Sequence, residues 1–350
     1  MAKEVPCSIY RGGNSKSLIF KDDDLPVSQE ERDQMFLYAV GCPDPQRLNG
    51  LGGTTINQNK IATVKASSME GVDIEYDVGE ISVHEPHIEY SYNSGNVAFS
   101  VPLFAYHNGM LPRKHEDQAF SLYNINTKEK IVARFMNFDK EPGGAEIQLD
   151  FLHPGGGVTG TLFPTKTLTN RIHVQNKTFE VTVIDAGNLT VFVNATELGL
   201  QGTETTDGEV NHVIDTLIMI GEEIAGELNL NKSFVKTMIV AKPQSYIGRS
   251  GQAVAGEDIH ICARDITLRS LHTAFPATGA VALSIASLVP GTIPNQLAAI
   301  GETNVVKIGH PSGISEVGAT VSINNGDIKA QKITLVNSSR CLMHGKVWVP

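Results

Sequence analysis

Apolar and polar residues alternate along much of the chain, in short stretches separated by clusters of glycine, asparagine and proline. Alternation with a period of two predicts half-buried strands, as in residues 179–184 and 332–336. Helical patterns are few, and they predict helices at about residues 28–40, 97–106, 212–228 and 280–288. Many strands with few helices indicate an α+β protein, and the lack of regular strand–helix alternation argues against a doubly wound sheet.

Two of the predicted helices are apolar runs, which is the pattern of a buried helix. The turn Asn93-Ser94-Gly95-Asn96 leads into the first, and Pro276-Ala277-Thr278-Gly279 leads into the second. Because this unit occurs twice, we expect two similar halves, each built round one buried helix. A change of composition at about residues 175–179 gives the predicted division, with residues 1–176 in the N-terminal half and residues 177–339 in the C-terminal half.

The starts of these two helices have two interpretations. Ser94 is a favourable N-cap residue, so the capping of a core helix explains the first turn by itself. Alternatively, the two helix starts face each other across a cleft. The uncovered amides of Gly95-Asn96 and Thr278-Gly279, with two positive dipole ends, would then bind a ligand that carries carboxylates at both ends.

Three other stretches offer polar groups to a ligand. In Arg11-Gly12-Gly13-Asn14-Ser15-Lys16, two glycines and the Ser15 hydroxyl suit a backbone nest for a carboxylate or phosphate, and a β-turn explains the same residues equally well. Lys60 begins a predicted strand, where it is either solvated or, in a cleft, desolvated enough to act as a base. The turn Gly309-His310-Pro311-Ser312-Gly313 offers an imidazole and a hydroxyl.

Two other patterns are discounted. The stretch Gly155-Gly156-Gly157-Val158-Thr159-Gly160 matches the dinucleotide fingerprint, but Pro164 follows and no amphipathic helix opens there, so we predict a hairpin loop. His84 and His87 would point to opposite faces of a strand and lack a third ligand at a recognised spacing. We therefore predict no metal site.

Composition limits the class of protein. The chain has 350 residues, 41% of them hydrophobic, and a formal net charge of -10. This is enough for a sizeable core and two domains, and the negative charge argues against nucleic acid and against an anionic membrane surface. We find neither an apolar leader nor a run long enough to span a bilayer, and the four cysteines are scattered as in reduced proteins. A cytoplasmic location is the expectation.

Taken together and in order, the motifs resemble those of the PrpF family. The resemblance extends from one end of the chain to the other, although each motif is short. It rests on Pro6-Cys7, Arg11-Gly12-Gly13-Asn14-Ser15-Lys16, Lys60, Asn93-Ser94-Gly95-Asn96, Thr161-Leu162-Phe163-Pro164-Thr165, Val183-Ile184-Asp185-Ala186-Gly187-Asn188, Leu198-Gly199-Leu200, Thr278-Gly279-Ala280, Gly309-His310-Pro311-Ser312-Gly313 and the segment from Arg340 to Pro350.

This resemblance implies a diaminopimelate epimerase-like fold, with two pseudo-symmetric halves that each wrap strands round a central helix and an active site between them. In that fold the C-terminal strand returns to the first half, so residues 340–350 are expected to join it. The family contains 2-methylaconitate cis-trans isomerase, methylitaconate Δ-isomerase and 4-oxalomesaconate tautomerase. The implied activity is therefore isomerisation of a small unsaturated di- or tricarboxylic acid without a cofactor, and a homodimer would be compatible with the fold.

The resemblance also implies roles for individual residues. Lys60 would remove and return the proton, with Ser94 donating a hydrogen bond or relaying the proton. The family usually has Asn-Cys-Gly-Asn at residues 93–96, so Ser94 replaces a cysteine implicated in proton transfer. Substrate binding would fall to Asn14, Ser15, Gly95, Asn96, Thr278, Gly279, His310 and Ser312.

Two alternatives remain open at this point. A chain that has lost the family cysteine could be a non-catalytic carboxylate-binding or accessory protein of the same fold. An amino-acid racemase or epimerase normally uses two opposed thiols, and neither Ser94 nor the segment Pro276-Ala277-Thr278 provides one. The isomerase is the function that we expect.

Overall fold

The computed structural model describes residues 3–83, 85–91, 93–111, 118–138, 142–324 and 326–350. The chain forms two compact units, the first made of Met1–Asp150 with Val336–Pro350 and the second of Phe151–Leu335. The change of composition predicted the first division after residue 176 instead. Residues 170–176 group with the second unit because the strand Asn170–Val174 pairs with the strand Lys177–Ala186 as a hairpin.

The described residues contain seven α-helices and short 3-10 turns. The helices are α1 (Gln29–Val40), α2 (Gly95–Ala98), α3 (Ser100–His107), α4 (Asp207–Val210), α5 (Ile214–Glu227), α6 (Ala277–Leu288) and α7 (Ile293–Leu297). The 3-10 turns are Asp22–Asp24, Ile56–Gln58, Ala195–Leu198, Asn211–Val213, Lys232–Phe234 and Gly256–Asp258. All four predicted helices are confirmed. The two apolar helices, predicted at residues 97–106 and 280–288, start a little earlier than predicted.

Strands make up most of the rest of the described chain. In order they are β1 (Lys3–Gly12), β2 (Ser15–Lys21), β3 (Lys60–Ala66), β4 (Ile74–Ile81), β5 (Ile88–Glu89), β6 (Ala119–Asn124), β7 (Lys130–Phe138), β8 (Gly144–Leu152), β9 (Asn170–Val174), β10 (Lys177–Ala186), β11 (Asn188–Asn194), β12 (Val235–Ala241), β13 (Tyr246–Ile247), β14 (Ala253–Val254), β15 (Ile261–Thr267), β16 (Ser270–Leu271), β17 (Val305–His310), β18 (Gly313–Asn324) and β19 (Asp327–Val349). Both predicted strands, 179–184 and 332–336, are confirmed within β10 and β19.

The strands of the two units follow the same order and the same directions. In the first unit, β1 is antiparallel to β2, β2 is parallel to β3, β3 is antiparallel to β4, β4 is parallel to β6, and β6 is antiparallel to β7. In the second unit, β10, β11, β12, β15, β17 and β18 repeat this succession of pairings. The predicted duplication is therefore confirmed at the level of topology.

Each unit has a buried helix at its centre. In the second unit, α6 packs against β10 and β11 and also against β17 and β18, which lie at the two ends of the ladder, so the strands wrap round the helix. In the first unit, α2 and α3 pack against strands from β1 to β4. The two helices are separated only at Phe99, whose backbone stays helical, because Pro102 has no N–H to donate to the Ala98 carbonyl.

Glycine allows the first hairpin turn of each unit to approach its central helix. A Cβ on Gly12 would lie 2.2 Å from the Asn96 carbonyl oxygen, and one on Gly187 would lie 2.9 Å from that of Thr278. Gly187 also has a φ of 67°, which side chains disfavour. The backbone of each turn is therefore held against the first turn of α2 or α6, where the sequence places the candidate site residues.

The helices that the structure describes include none with the length and apolar character required to cross a membrane.

Candidate active site

Lys60 is the first residue of β3 and is buried in the first unit, with 1% of its surface exposed. Its Cα lies opposite that of Ser17 on β2 and that of Glu80 on β4. The Nζ atom donates to Oε1 of Glu80 in a short ion pair and to Oγ of Ser94 over 3.0 Å. Of the two interpretations left open for Lys60, the structure excludes the solvated one.

Ser94 occupies the N-cap position of α2, and its carbonyl accepts the first helical hydrogen bond, from Ala98 over 2.9 Å. Its hydroxyl does not cap the helix, contrary to the first interpretation, because it accepts from Lys60 instead. An accepted hydrogen bond leaves the hydroxyl proton itself to be donated. No acceptor for that proton is found among the described residues, so it is available to a ligand.

Three polar side-chain atoms on β2 and at the start of α2 are buried and have no hydrogen-bond partner among the described residues. They are Oγ of Ser15, Oγ of Ser17 and Nδ2 of Asn96. Ser15 and Ser17 lie on the same face of β2, and Asn96 contacts the hairpin turn at Gly13. Leaving one such group unpaired costs about 1–3 kcal/mol, so each of the three atoms is open to an ordered water or to a polar ligand.

The hairpin turn before Ser15 is not an open nest. Gly12 and Ser15 are paired across a two-residue turn, and the amide of Gly13 donates to the Ser338 carbonyl over 2.9 Å. Arg11 also bonds Ser338, and Lys16 donates to the Gly52 carbonyl over 3.1 Å. Of the two interpretations, the β-turn is therefore the one observed. The Ser15 hydroxyl has no hydrogen-bond partner among the described residues.

Asn14 lies at the tip of this turn with its side chain exposed. Its carbonyl accepts a hydrogen bond from Asn57 Nδ2 over 3.0 Å. The contacts of its side chain give no support for the predicted binding role, which stays a prediction.

Thr278 and Gly279 lie in the first turn of α6 in the second unit. The Thr278 hydroxyl accepts a 2.8 Å hydrogen bond from Asn188 Nδ2, at the start of β11. A Cβ on Gly279 would lie 2.6 Å from Cε of Met238, the flexible end of a side chain on β12, which would have to shift. The predicted convergence of the two helix starts on one ligand stays a prediction.

His310 and Ser312 belong to the turn between β17 and β18. Nδ1 of His310 accepts from the Ser312 amide over 3.2 Å, so Nε2 carries the proton and donates to Ser315 Oγ over 3.0 Å. Ser312 donates its own hydroxyl proton to the Thr273 carbonyl. These contacts are those of a structural turn, and the binding role of both residues stays a prediction.

Burial lowers the pKa of His310 from the usual 6.5 to about 3, with a smaller effect from the Arg264 guanidinium. Between pH 6.5 and about 3, His310 is therefore protonated in the unfolded chain and neutral in the folded protein. The stability that His310 contributes is complete above pH 6.5 and is lost as the pH falls toward 3, by at most about 1.4 kcal/mol per pH unit.

We expect His310→Gln to flatten this pH dependence. Urea unfolding of the parent and the variant between pH 6.5 and 4.0 measures it, and the free energy of unfolding should fall less steeply in the variant. The exposed His212 gives the matched control, since His212→Gln should keep the slope of the parent. Equal slopes for parent and His310→Gln would contradict the assignment.

The glycine-rich stretch 155–160 lies outside any helix and binds a carboxylate of the chain itself. Oδ2 of Asp185 accepts from the amides of Val158 and Thr159, over 2.9 and 2.6 Å, and from the Thr159 hydroxyl. Burial raises the pKa of Asp185, and these hydrogen bonds oppose the rise. Of the two histidines discounted as ligands, His84 lies outside the described residues, and the half-exposed His87 pairs with Glu89 over 3.6 Å.

Glu80 and Ser17 were not predicted from the sequence. Glu80 ends an alternation in which Tyr76, Val78 and Glu80 share one face of β4, and that pattern marks the face as buried. Only the register of β4 against β3 shows that Glu80 faces Lys60. Ser17 could have been found from Ser15, since residues two apart on a strand share a face.

The duplicated α+β fold and the buried lysine against the start of a central helix define a class of protein, the isomerases of the diaminopimelate epimerase-like fold. A family model described as PrpF protein matches residues 2–350. The chain therefore belongs to the PrpF family.

Known relatives extend over almost the whole chain. A 2-methyl-aconitate isomerase of Shewanella oneidensis is 32% identical over 99% of this chain and 97% of its own length. A 3-methylitaconate isomerase of Eubacterium barkeri is 28% identical over the same shares. Among solved structures, a methylitaconate-delta-isomerase matches with a TM-score of 0.75 and 26% identity over 99% of this chain and 96% of that one. These relatives give no support to the alternative of a non-catalytic protein.

Proposed function

We propose that this protein isomerises a small unsaturated di- or tricarboxylic acid of the methylaconitate or methylitaconate type, by moving a proton between carbons. The observation that carries the proposal is the buried Lys60, bonded to Glu80 and Ser94, with Ser17 opposite it on β2. The unpaired polar atoms of Ser15, Ser17 and Asn96 on β2 and at the start of α2 support it. The named activities of two relatives support this substrate class.

The first step is removal of a proton from a carbon next to the double bond. Lys60 accepts this proton, and the electrons of the C–H bond spread through the double bond into a carboxylate as a dienolate. That anion needs hydrogen-bond donors at the oxygen where its charge collects. The Ser94 hydroxyl and Nδ2 of Asn96 are donors, and the hydroxyls of Ser15 and Ser17 can also donate.

The second step returns the proton to a different carbon. If it is delivered to the far end of the dienolate, the double bond moves, and if the intermediate rotates before delivery, a cis acid becomes a trans acid. Lys60 acts as base and then as acid, so the catalyst ends in its starting state. The amides of Gly95 and Asn96 at the start of α2 are the proposed further contacts to the carboxylates, and the binding roles of Thr278 and Gly279 stay predictions.

Ser94 has a smaller role here than a family cysteine would have. Its hydroxyl is a hydrogen-bond donor at neutral pH and does not ionise there, whereas a thiol does so much more readily. We assign to it the orientation of Lys60 and the donation of a hydrogen bond to the substrate. A homodimer, a cytoplasmic location and the lack of a nucleic-acid partner stay predictions.

Exchange of hydrogen with heavy water tests the proposal. The purified protein is incubated in D2O with aconitate, 2-methylaconitate, methylitaconate or oxalomesaconate, and proton NMR follows both deuterium uptake and the appearance of isomers. We expect uptake at the allylic carbon of at least one acid, with formation of its isomer. Binding of these acids, seen as a rise in melting temperature, without exchange in any of them would overturn the proposal in favour of a binding protein.

A further inference from the structure

Lys60 and Glu80 form a fully buried ion pair on neighbouring strands. They are directly opposite each other in the β3–β4 ladder, and 1% and 3% of their surfaces are exposed. Removing two charges from water is costly. Moving the proton from the ammonium to the carboxylate makes both groups neutral and removes most of that cost together with the attraction between the charges, so the two forms of the pair can be close in energy. The short hydrogen bond between Nζ and Oε1 is the path for that proton.

A base at neutral pH must be an amine rather than an ammonium ion. Lysine is an ammonium ion in water at pH 7, and a substrate that carries two or three carboxylates stabilises that form further. The proposed function therefore needs a group that takes the first proton from Lys60. Glu80 is the ion-pair partner of Lys60 in the structure.

Building on the proposed function, we infer that Glu80 is a positioning residue that turns Lys60 into a base by accepting its proton. In the resting state Lys60 is an ammonium ion and Glu80 a carboxylate. The proton moves from Nζ to Oε1, which gives an amine and a carboxylic acid with no change of net charge. Rotation about the Cε–Nζ bond then directs the lone pair at the substrate, while the two remaining N–H bonds donate to Glu80 and Ser94.

The rest of the cycle balances without another reactant. The allylic C–H bond breaks, its proton joins the amine to form an ammonium ion, and its electrons form the dienolate. The ammonium ion then gives a proton to another carbon and becomes an amine again. Glu80 keeps its proton throughout and returns it to Lys60 when the product leaves.

The other ionisable groups described on the neighbouring elements have different partners. On β5, Glu89 is opposite Glu80 in the ladder and pairs with Nε2 of His87 over 3.6 Å. On β4, Tyr76 is fully buried and donates its hydroxyl proton to Asn93 over 3.2 Å, and burial raises its pKa. On β2, Lys16 lies between Ser15 and Ser17, on the opposite face, and bonds Gly52. Residues 93–105, which contain the start of α2, include no ionisable side chain.

Strands β3 and β4 also contain a second lysine–glutamate ion pair, which is more exposed to solvent than the pair of Lys60 and Glu80. Lys65 and Glu75 are also directly opposite each other, at the far end of the β3–β4 ladder, with Nζ and Oε2 separated by 3.2 Å. The Lys65 side chain is 41% exposed, so water can hydrate its charge. Glu75→Gln therefore removes an ion pair of the same kind and serves as the control.

The test compares Glu80→Gln with Glu75→Gln in the exchange assay from pH 7 to pH 10. An amide keeps the size of Glu80 but cannot take a proton from an ammonium ion. We expect kcat/KM of Glu80→Gln at pH 7.5 to fall about 100-fold to 1,000-fold, with KM little changed. The loss should shrink as the pH rises, because hydroxide then removes the proton that the carboxylate took. Glu80→Asp should recover part of the activity, and Glu75→Gln should keep the parental profile.

Two results would overturn the inference. One is a Glu80→Gln protein whose activity stays within about threefold of the parent at pH 7.5. The other is a loss that is the same at every pH, which indicates that Glu80 only supports the fold. Should Glu80→Gln fail to fold, infrared spectroscopy of the parent with bound product decides. A protonated buried carboxyl at pH 7.5 that shifts in Glu80→Asp supports the inference, and its absence contradicts it. If the parent protein itself exchanges no hydrogen, the proposed function fails instead.

Discussion

Replacing Lys60 with methionine should reduce the rate of hydrogen exchange and isomerisation by about a thousandfold or more. Methionine is similar in length and apolar, so it fills the buried site without supplying a base. General acid–base groups typically contribute factors of about 10²–10⁴, and no other amine bonds both Glu80 and Ser94 in the described chain. Single-turnover exchange in D2O measures the chemical step directly.

The control for Lys60→Met is Lys65→Met, which removes a lysine from the exposed end of the same strand. Its activity should stay close to the parental rate. Circular dichroism and melting curves check that both proteins are folded, because Lys60→Met leaves the buried Glu80 without its cation. A folded Lys60→Met protein that isomerises at the parental rate would show that the base is a different residue.

Adding a single methyl group at Gly12 should destabilise the protein by about 3 kcal/mol, which is large for so small a change. The new Cβ would lie 2.2 Å from the Asn96 carbonyl oxygen and 2.4 Å from Oγ of Ser100. The nearer atom belongs to the helix backbone and cannot turn away as a side chain would. In Gly12→Ala, the β1–β2 hairpin must therefore move away from α2, taking Ser15 with it.

Urea unfolding measures this change, and Gly226→Ala is the matched control. Gly226 lies within α5, and a Cβ added there would meet no heavy atom of the described chain within 4 Å outside its own helix turn. Alanine there should stabilise the helix by up to about 1 kcal/mol, since glycine is a poor helix former. A Gly12→Ala protein as stable as the parent would show that the turn has room to relax.

The central helices could be predicted from sequence because their apolar residues leave no polar face. Residues 97–106 and 280–288 contain only serine and tyrosine as polar residues and no charged residue, and a helix of that kind is most stable in the core. The boundary between the two units was harder to predict from the sequence. The change of composition at residues 175–179 marks the turn of the β9–β10 hairpin, where Gln175 has a φ of 54°. A hairpin turn and a linker have similar composition, so the pattern alone does not separate them.

The candidate site was visible only in part, because much of it depends on pairing between distant segments. Lys60, Ser94, Ser15 and Asn96 were proposed from local motifs. The structure bonds Lys60 to Ser94 and places Ser15 and Asn96 in the same unit. The partner of Lys60 depends on strand register, which motifs do not contain. The Gly13 amide donates a hydrogen bond to the carbonyl of Ser338, a residue near the other end of the sequence.

The path of β19 has a consequence for biosynthesis. Residues 327–334 of this strand pair with β18, whereas residues 339–349 pair with β1. As the ribosome releases the chain, the second unit can complete its ladder once residue 335 has emerged. The first unit, although it is translated earlier, has to wait for the fifteen residues that follow, Val336–Pro350. During synthesis, β1 therefore keeps an unpaired edge until residues 339–349 have emerged.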